Sequence, residues 1–434
     1  MERVAVGLLG VGTVGSGVVR LLREQGERIA RRAGRTVEVK YALVRDPSKR
    51  RDAPMDDVRV VTDVRRVIDD PETSVVVETM GGVDPTLRIL LEALAAGKDV
   101  VTANKALLAE HGSELFAQAR KHGRAVAFEG SVAGGIPIVQ ALGVALAANQ
   151  VQSLAAIVNG TCNFILTSMT RDGLAYDLAL REAQTLGYAE ADPTLDVDGT
   201  DTAHKLAILA QLAFGVGVTT SDIPRAGIDR LQIADIRYAG ELGYTLKLLA
   251  IAKLSDAGLE LRVAPTLVKQ GTPLADVRGP YNAIRVVGDA VGDTLFYGRG
   301  AGMMPTASAV VGDIIDVVIG RASLTARALD LWPAAAGKPR LTSAELVRRR
   351  YYLRFTIADR PGVLARIATV LGGHGISIAS VIQHDPGYDD PDDVAVPLVI
   401  MTHTAVEAAM TAALHEIDRL ESVGAPSVCL GVEE

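Results

Sequence analysis

Three glycines, Gly10, Gly12 and Gly15, close an apolar run at residues 4–9 and open a helical pattern through Val18, Val19 and Leu22. G-x-G-x-x-G between a strand and a helix is a narrow specification. Gly10 permits a tight turn, Gly12 lets a pyrophosphate approach the backbone, and Gly15 permits close helix packing. The pyrophosphate then rests on a helix N-terminus, whose first N–H groups have no partner within the helix. Gly10, Gly12, Thr13, Val14 and Gly15 are therefore the candidate dinucleotide cradle.

Short apolar segments at 37–44, 75–77, 100–101 and 125–128 follow, with a helical stretch at 84–96 among them. Alternation of this kind indicates a parallel sheet covered on both faces. Residues 1–135 are expected to form a Rossmann-type dinucleotide-binding domain, completed by a helix near 305–320. Residues 136–304 read as a mixed α+β domain. Its expected helices cover 137–149, 163–170, 178–185, 200–214 and 233–242, and its expected strands include 154–158, 246–254 and 259–265. Pro333 and Pro339 mark a linker within 331–349. Residues 350–434 have the order β-α-β-β-α-β of a ferredoxin-like unit. An acidic run at 385–393 is expected to be a solvated loop. The fold class is thus α/β with three parts.

Composition removes several function classes. The chain has 434 residues, with 45 Lys plus Arg against 52 Asp plus Glu, a formal net charge of -7. It offers no concentrated basic face for nucleic acid. No stretch of eighteen apolar residues suggests a membrane span. Cys162 and Cys429 are far apart and match no metal-ligand spacing, which points to a reducing, cytoplasmic setting.

Polar residues cluster at the ends of the predicted strands. Arg45 and Asp46 end the second strand. An acid there suits the ribose hydroxyls of NAD, whereas an arginine accepts the 2′-phosphate of NADP, so Arg45 favours NADP while Asp46 keeps NAD open. Glu78 precedes Gly81 and Gly82, and Thr102, Asn104 and Lys105 follow the strand at 100. These are carboxyl edges of parallel strands, the ligand side of such a sheet. A second cluster holds Glu190, Asp192, Asp196, Asp198, Asp201 and Lys205. Asp201 and Lys205 are four apart on a strongly apolar helix and share a face. Such a helix is buried on most sides, so its ionised groups should face a cleft or a partner.

At these residues the chain resembles the homoserine dehydrogenase family. The likeness runs through GLLGVGTVGSGVV, TANKALLAEHG, EGSVAGGIPI and NGTCNFILTSM. It continues in GYAEADPTLDVDGTDTAHKLAIL, PLADVRGPYNAI and FYGRGAGMMPTASAVVGDI, to about residue 315. The resemblance implies reversible reduction of L-aspartate 4-semialdehyde to L-homoserine with NADP or NAD. It implies Lys205 as the acid–base residue, Lys105 near the transferring hydride, and Glu190, Asp201 and Asp196 holding the substrate amino group and orienting the lysine. Gly81, Thr102, Asn104, Gly300 and Gly302 join Arg45 as cofactor contacts. Glu129 with Val132 and Gly134 resembles a monovalent-cation site for sodium or potassium, and a merely structural turn is the other reading. A homodimer or tetramer is implied.

The segment Asp359-Arg-Pro361-Gly362-Val-Leu364, with Gly375-Ile-Ser377-Ile378 after it, resembles an ACT domain. That resemblance implies an amino-acid effector, L-threonine, although such a unit can also serve only the oligomer. Two other functions stay in view: a dehydrogenase of the same fold for another amino aldehyde, and a non-catalytic nucleotide-sensing regulator.

Overall fold

The structure, a computed structural model, describes residues 2–329, 331–332, 340–343, 345–384 and 395–433. The acidic run at 385–393 and both linker prolines, Pro333 and Pro339, lie outside the described residues. The chain divides into two compact units, each assembled from separate segments. One comprises Met1–Gly160, Thr200–Pro224 and Pro280–Pro339, and the other Thr161–Gly199, Arg225–Gly279 and Arg340–Glu434.

The first unit holds a six-stranded parallel sheet. Its order is Arg59–Val61, Thr36–Leu43, Arg3–Leu9, Thr73–Glu78, Asp99–Thr102 and Val126–Ala127. The strands are buried on both faces, as Val75, Val76 and Val77 illustrate at no more than 2 % exposure. Chain direction across the sheet reverses beside Arg3–Leu9, so the crevice between Leu9 and Glu78 is the topological switch point where such sheets bind ligands. The Thr13–Glu24 helix packs against the Met303–Val318 helix, burying Val18, Val19, Val310 and Ile314. A Cβ on Gly17 would lie 2.8 Å from the Met303 carbonyl, so the glycine sets how closely the two helices approach. The strands Val151–Ile157, Tyr281–Gly288 and Gly292–Arg299 pair antiparallel in the same unit.

The second unit is built on the hairpin Tyr244–Ser255 and Gly258–Lys269. Its C-terminal part has the expected β-α-β-β-α-β order, with helices Val363–Gly373 and Glu407–Ile417 on a four-strand antiparallel sheet. Leu353, Phe355, Ile367, Leu398, Ile400, Met410 and Ile417 form its core. The last strand, Val423–Glu433, also pairs parallel with the hairpin, Gly431 opposite Thr266 and Glu433 opposite Val268.

Two local expectations fail for physical reasons. The helix expected over 137–149 is one α-turn, Ile138–Gln140, followed by a wide turn in which the Leu146 N–H donates to the Ala141 carbonyl. Gly143 lies in the middle of this segment, where a glycine weakens a regular helix. The strand expected to end at Pro265 continues to Lys269. Pro265 faces Leu248, and pairing on its other edge starts only at Thr266, so no ladder bond on that edge asks for the missing N–H.

Candidate active site

The glycine turn is shaped by its immediate neighbours. Gly10 has φ +92°, and a Cβ there would lie 3.0 Å from the Thr79 backbone. A Cβ on Gly15 would lie 2.2 Å from the Gly10 carbonyl oxygen, so helix and turn are packed at backbone distance. Among the described residues, a Cβ on Gly12 meets nothing within 4 Å beyond its chain neighbours. Protein packing therefore explains Gly10 and Gly15, whereas Gly12 fits a backbone that something else must approach. Thr79, which sequence reasoning missed, clamps the turn by donating its hydroxyl to the Gly10 carbonyl at 2.8 Å.

Glu78 is fully buried and organises the neighbouring edge. Its carboxylate accepts the Met80 and Gly81 N–H groups at 2.7 and 2.9 Å, and the Thr102 hydroxyl at 2.6 Å. Asn104 caps the Lys105–His122 helix by accepting the Leu107 N–H and donates its amide to the Gly82 carbonyl at 2.6 Å. Thr102 and Asn104 thus hold the Gly81–Gly82 turn in place. Past the second strand, the Asp46 carboxylate accepts the Ser48 N–H and hydroxyl, which hold it below the usual carboxylate range. Arg45 is exposed beside it.

Asp201 and both predicted lysines meet in the first unit. Lys105 Nζ lies 2.6 Å from Asp201 Oδ1, and Lys205 Nζ lies 2.7 Å from Oδ2. Lys205 also donates to the Val158 carbonyl at 2.7 Å, and the Asn159 amide donates to Asp201 Oδ2 at 2.9 Å. The Asp201 side chain is 5 % exposed and that of Lys105 42 %. Burial alone would raise the pKa of Asp201, but the two ammonium groups outweigh it and hold the carboxyl well below its ordinary value. The apolar helix Thr200–Phe214 supplies two of these groups, and the start of the Lys105–His122 helix the third.

Glu190 and Asp196 belong to the second unit. Glu190 is exposed between two helices, where its carbonyl accepts the Gln184 amide at 3.1 Å. Asp196 lies in the short helix Thr194–Val197, and its carbonyl accepts the buried Cys162 thiol at 3.2 Å.

Glu129 is buried, and its two oxygens each accept one backbone N–H, from Val139 and Gln140, at 2.9 Å. Its own N–H donates to Asp313 Oδ2 at 2.8 Å. Burial first, and the nearby Asp316 charge, push the Glu129 carboxyl up to about 7. Asp313 is raised well above its ordinary range by burial and by Glu129. A buried acidic pair of this kind gains from nearby positive charge.

A parallel sheet in the order just described with a glycine cradle at its switch point is the dinucleotide-binding class of fold, here beside a buried lysine–aspartate–lysine cluster. Residues 10–129 match the model described as homoserine dehydrogenase, NAD binding domain, residues 137–315 that of homoserine dehydrogenase, and residues 351–419 that of the ACT domain. The homoserine dehydrogenase of Pseudomonas aeruginosa is 45 % identical, over the whole of both chains. A crystal structure of a homoserine dehydrogenase from Thiobacillus denitrificans has TM-score 0.91 and 43 % identity, covering 100 % of this chain and 99 % of that one. A hyperthermophilic archaeal homoserine dehydrogenase mutant in complex with NADPH has TM-score 0.62 and 26 % identity, covering 74 % of this chain and 98 % of that one.

The chain belongs to the homoserine dehydrogenase family. Its activity is the reversible, nicotinamide-dependent interconversion of L-homoserine and L-aspartate 4-semialdehyde. No described helix is long and apolar enough to cross a membrane.

Proposed function

We propose that Lys205 is the proton-transfer group of this reaction and that Lys105 stabilises charge beside it. The observation that carries this assignment is Asp201, one buried carboxylate holding both ammonium groups at 2.6 and 2.7 Å. The nicotinamide cofactor supplies or accepts the hydride at the substrate carbon. In reduction, Lys205 donates a proton to the aldehyde oxygen as negative charge develops there, and Lys105 stabilises that charge. In oxidation, Lys205 accepts the hydroxyl proton. Asp201 fixes both amines, and Asn159 and the Val158 carbonyl fix the geometry of Asp201 and Lys205. Glu190 and Asp196 enter by their chemistry, because an ammonium-bearing substrate needs carboxylates.

Gly10, Gly12, Thr13, Val14 and Gly15 would hold the pyrophosphate, with Gly81, Gly300 and Gly302 completing the cofactor contacts. NADP is the proposed preference. Supporting it, Asp46 is engaged by Ser48 and Arg45 is exposed alongside. Glu129 with the carbonyls of Val132 and Gly134 is proposed to hold sodium or potassium, supported by the buried acidic pair. We assign L-threonine as effector at the ACT domain, a homodimer or tetramer as the assembly, and the cytoplasm as the location.

Absorbance at the reduced-nicotinamide band with L-homoserine, run separately with NADP and NAD, tests substrate and cofactor together. Lys205→Ala should lower kcat by about 10³-fold, within the range for loss of an acid–base group, with NADP affinity retained. Unchanged kcat would remove Lys205 from the chemistry. Threonine titration of the intact enzyme tests the effector, and a flat response would leave the ACT domain a structural role.

A further inference from the structure

Asn282 is 1 % exposed in the strand Tyr281–Gly288. Neither its amide nitrogen nor its carbonyl oxygen has a hydrogen-bond partner among the described residues. A buried carboxamide without partners is costly, and an apolar side chain of the same shape would do no worse in that place. Packing among the described residues therefore gives no reason for an asparagine.

Its neighbours suggest which state uses it. Ala283 pairs with Ile157, so Asn282 lies one residue further on, at the strand end that leads to Val158. Val158 is the residue whose carbonyl accepts Lys205. On the other edge Asn282 pairs with Gly298, and the turn Gly300–Ala301–Gly302 follows directly into the Met303–Val318 helix. A Cβ on Gly300 would lie 1.9 Å from Asn282 Nδ2 and 2.5 Å from Oδ1. Gly300 is thus a glycine because the carboxamide occupies the space of its side chain. An unused NH2 and an unused carbonyl oxygen complement a peptide or amide group, whereas a carboxylate only accepts and an ammonium only donates. Gly300 lies against that carboxamide, and the two glycines of its turn let the turn's peptides reorient at low cost.

We propose that Asn282 is a positioning residue of the loaded enzyme. Its carboxamide takes the peptide groups of the Gly300–Gly302 turn as partners when the nicotinamide cofactor binds, and so fixes that turn against the cofactor. This rests on the assignment of Gly300 and Gly302 to the cofactor side.

The test uses the full-length enzyme and the near-isosteric Asn282→Leu. The unliganded variant should unfold at or above the parent temperature, because an orphan amide has been removed. Its NADPH dissociation constant, read by nucleotide fluorescence, should rise roughly tenfold, the scale of one or two lost hydrogen bonds. KM for the cofactor should rise more than kcat falls. Unchanged NADPH affinity would overturn the proposal, as would a clearly lowered unfolding temperature without ligand, because the amide would then serve the resting fold. Asn282→Ala with Gly300→Ala should regain the stability that Gly300→Ala alone loses, yet bind NADPH weakly. Parental affinity in the pair would also overturn the role. Hydrogen exchange separates the two levels. NADPH should protect the amides of residues 300–302 in the parent but not in Asn282→Leu. No protection in the parent removes the cofactor-side assignment, and equal protection in both removes Asn282.

Discussion

Two buried aspartates, one in each compact unit, hold their cations in different ways. Asp201 bridges two lysines, one of them 42 % exposed, through single contacts made by flexible stems. Asp235 is fully buried in the second unit, where Arg354 grips it with Nε at 2.6 Å and Nη2 at 3.1 Å. The Tyr352 hydroxyl and the Gln232 N–H complete its bonding at 3.2 and 3.0 Å. A planar fork on a carboxylate, closed off from solvent, is a fixture that fastens the Ile233–Glu241 helix to the ACT-domain sheet. Lysines are suited to moving protons, because their charge can change within reach of ordinary pH. Burial of a charged pair thus does not mark a catalytic site. Partner type and access to solvent separate the two.

The largest contrast should come from removing one cation at each site. Lys205→Met is expected to abolish most turnover while the unfolding transition moves little, since Lys105 still compensates Asp201. Arg354→Met should do the reverse, costing about 3–5 kcal/mol of stability by stranding a buried charge, with turnover per folded molecule near the parent value. Denaturant unfolding and kcat on both variants check the pair, and matching effects would erase the distinction. The same clasp bears on how the ACT domain is studied. Removing residues 350–434 would strand Asp235 and strip the pairing partner from Thr266–Val268. Truncation should therefore destabilise the chain, and substitutions in the Asp359–Gly362 turn are the cleaner probe of a threonine response.

A smaller effect concerns pH. The Asp201 carboxyl is depressed, so its stabilisation is complete above the unfolded value near pH 4 and is lost as pH falls below it. The difference in unfolding temperature between parent and Asp201→Asn should shrink as pH drops through that range. Glu129 has the opposite sign. It keeps its proton to about 7 in the fold against an ordinary 4.5, so the native state binds more protons in that interval and its stability falls as pH rises across it. Potassium or sodium should reduce that fall if a cation takes the place of the proton. The smallest expected difference is therefore between salts at pH 8, and identical unfolding curves in sodium, potassium and a bulky organic cation would count against the proposed site.

Much of the dinucleotide half was legible in the sequence because its determinants are local. Strand, turn and helix follow one another within Arg3–Glu24, and the glycine spacing of the turn lies inside that span. The Asp201–Lys205 pair was legible for the same reason, being one helical turn. The clamp of Thr79 on Gly10, the bond from Thr102 to Glu78, and the bridge from Asp201 to Lys105 were not. They join segments far apart in the chain, and no spacing encodes them.

The sequence by itself therefore determined the fold class, the family and the chemical types at the site, since these rest on periodicity, turn chemistry and contiguous motifs. Only the tertiary structure decided which charges share a carboxylate, which glycines answer to protein packing, and that Asp235 is a clasp. Each of those depends on distances between segments far apart in the chain. Asn282 illustrates the division well. In sequence it is one polar residue in a strand, and only the tertiary structure reveals an amide buried against Gly300 with no partner among the described residues.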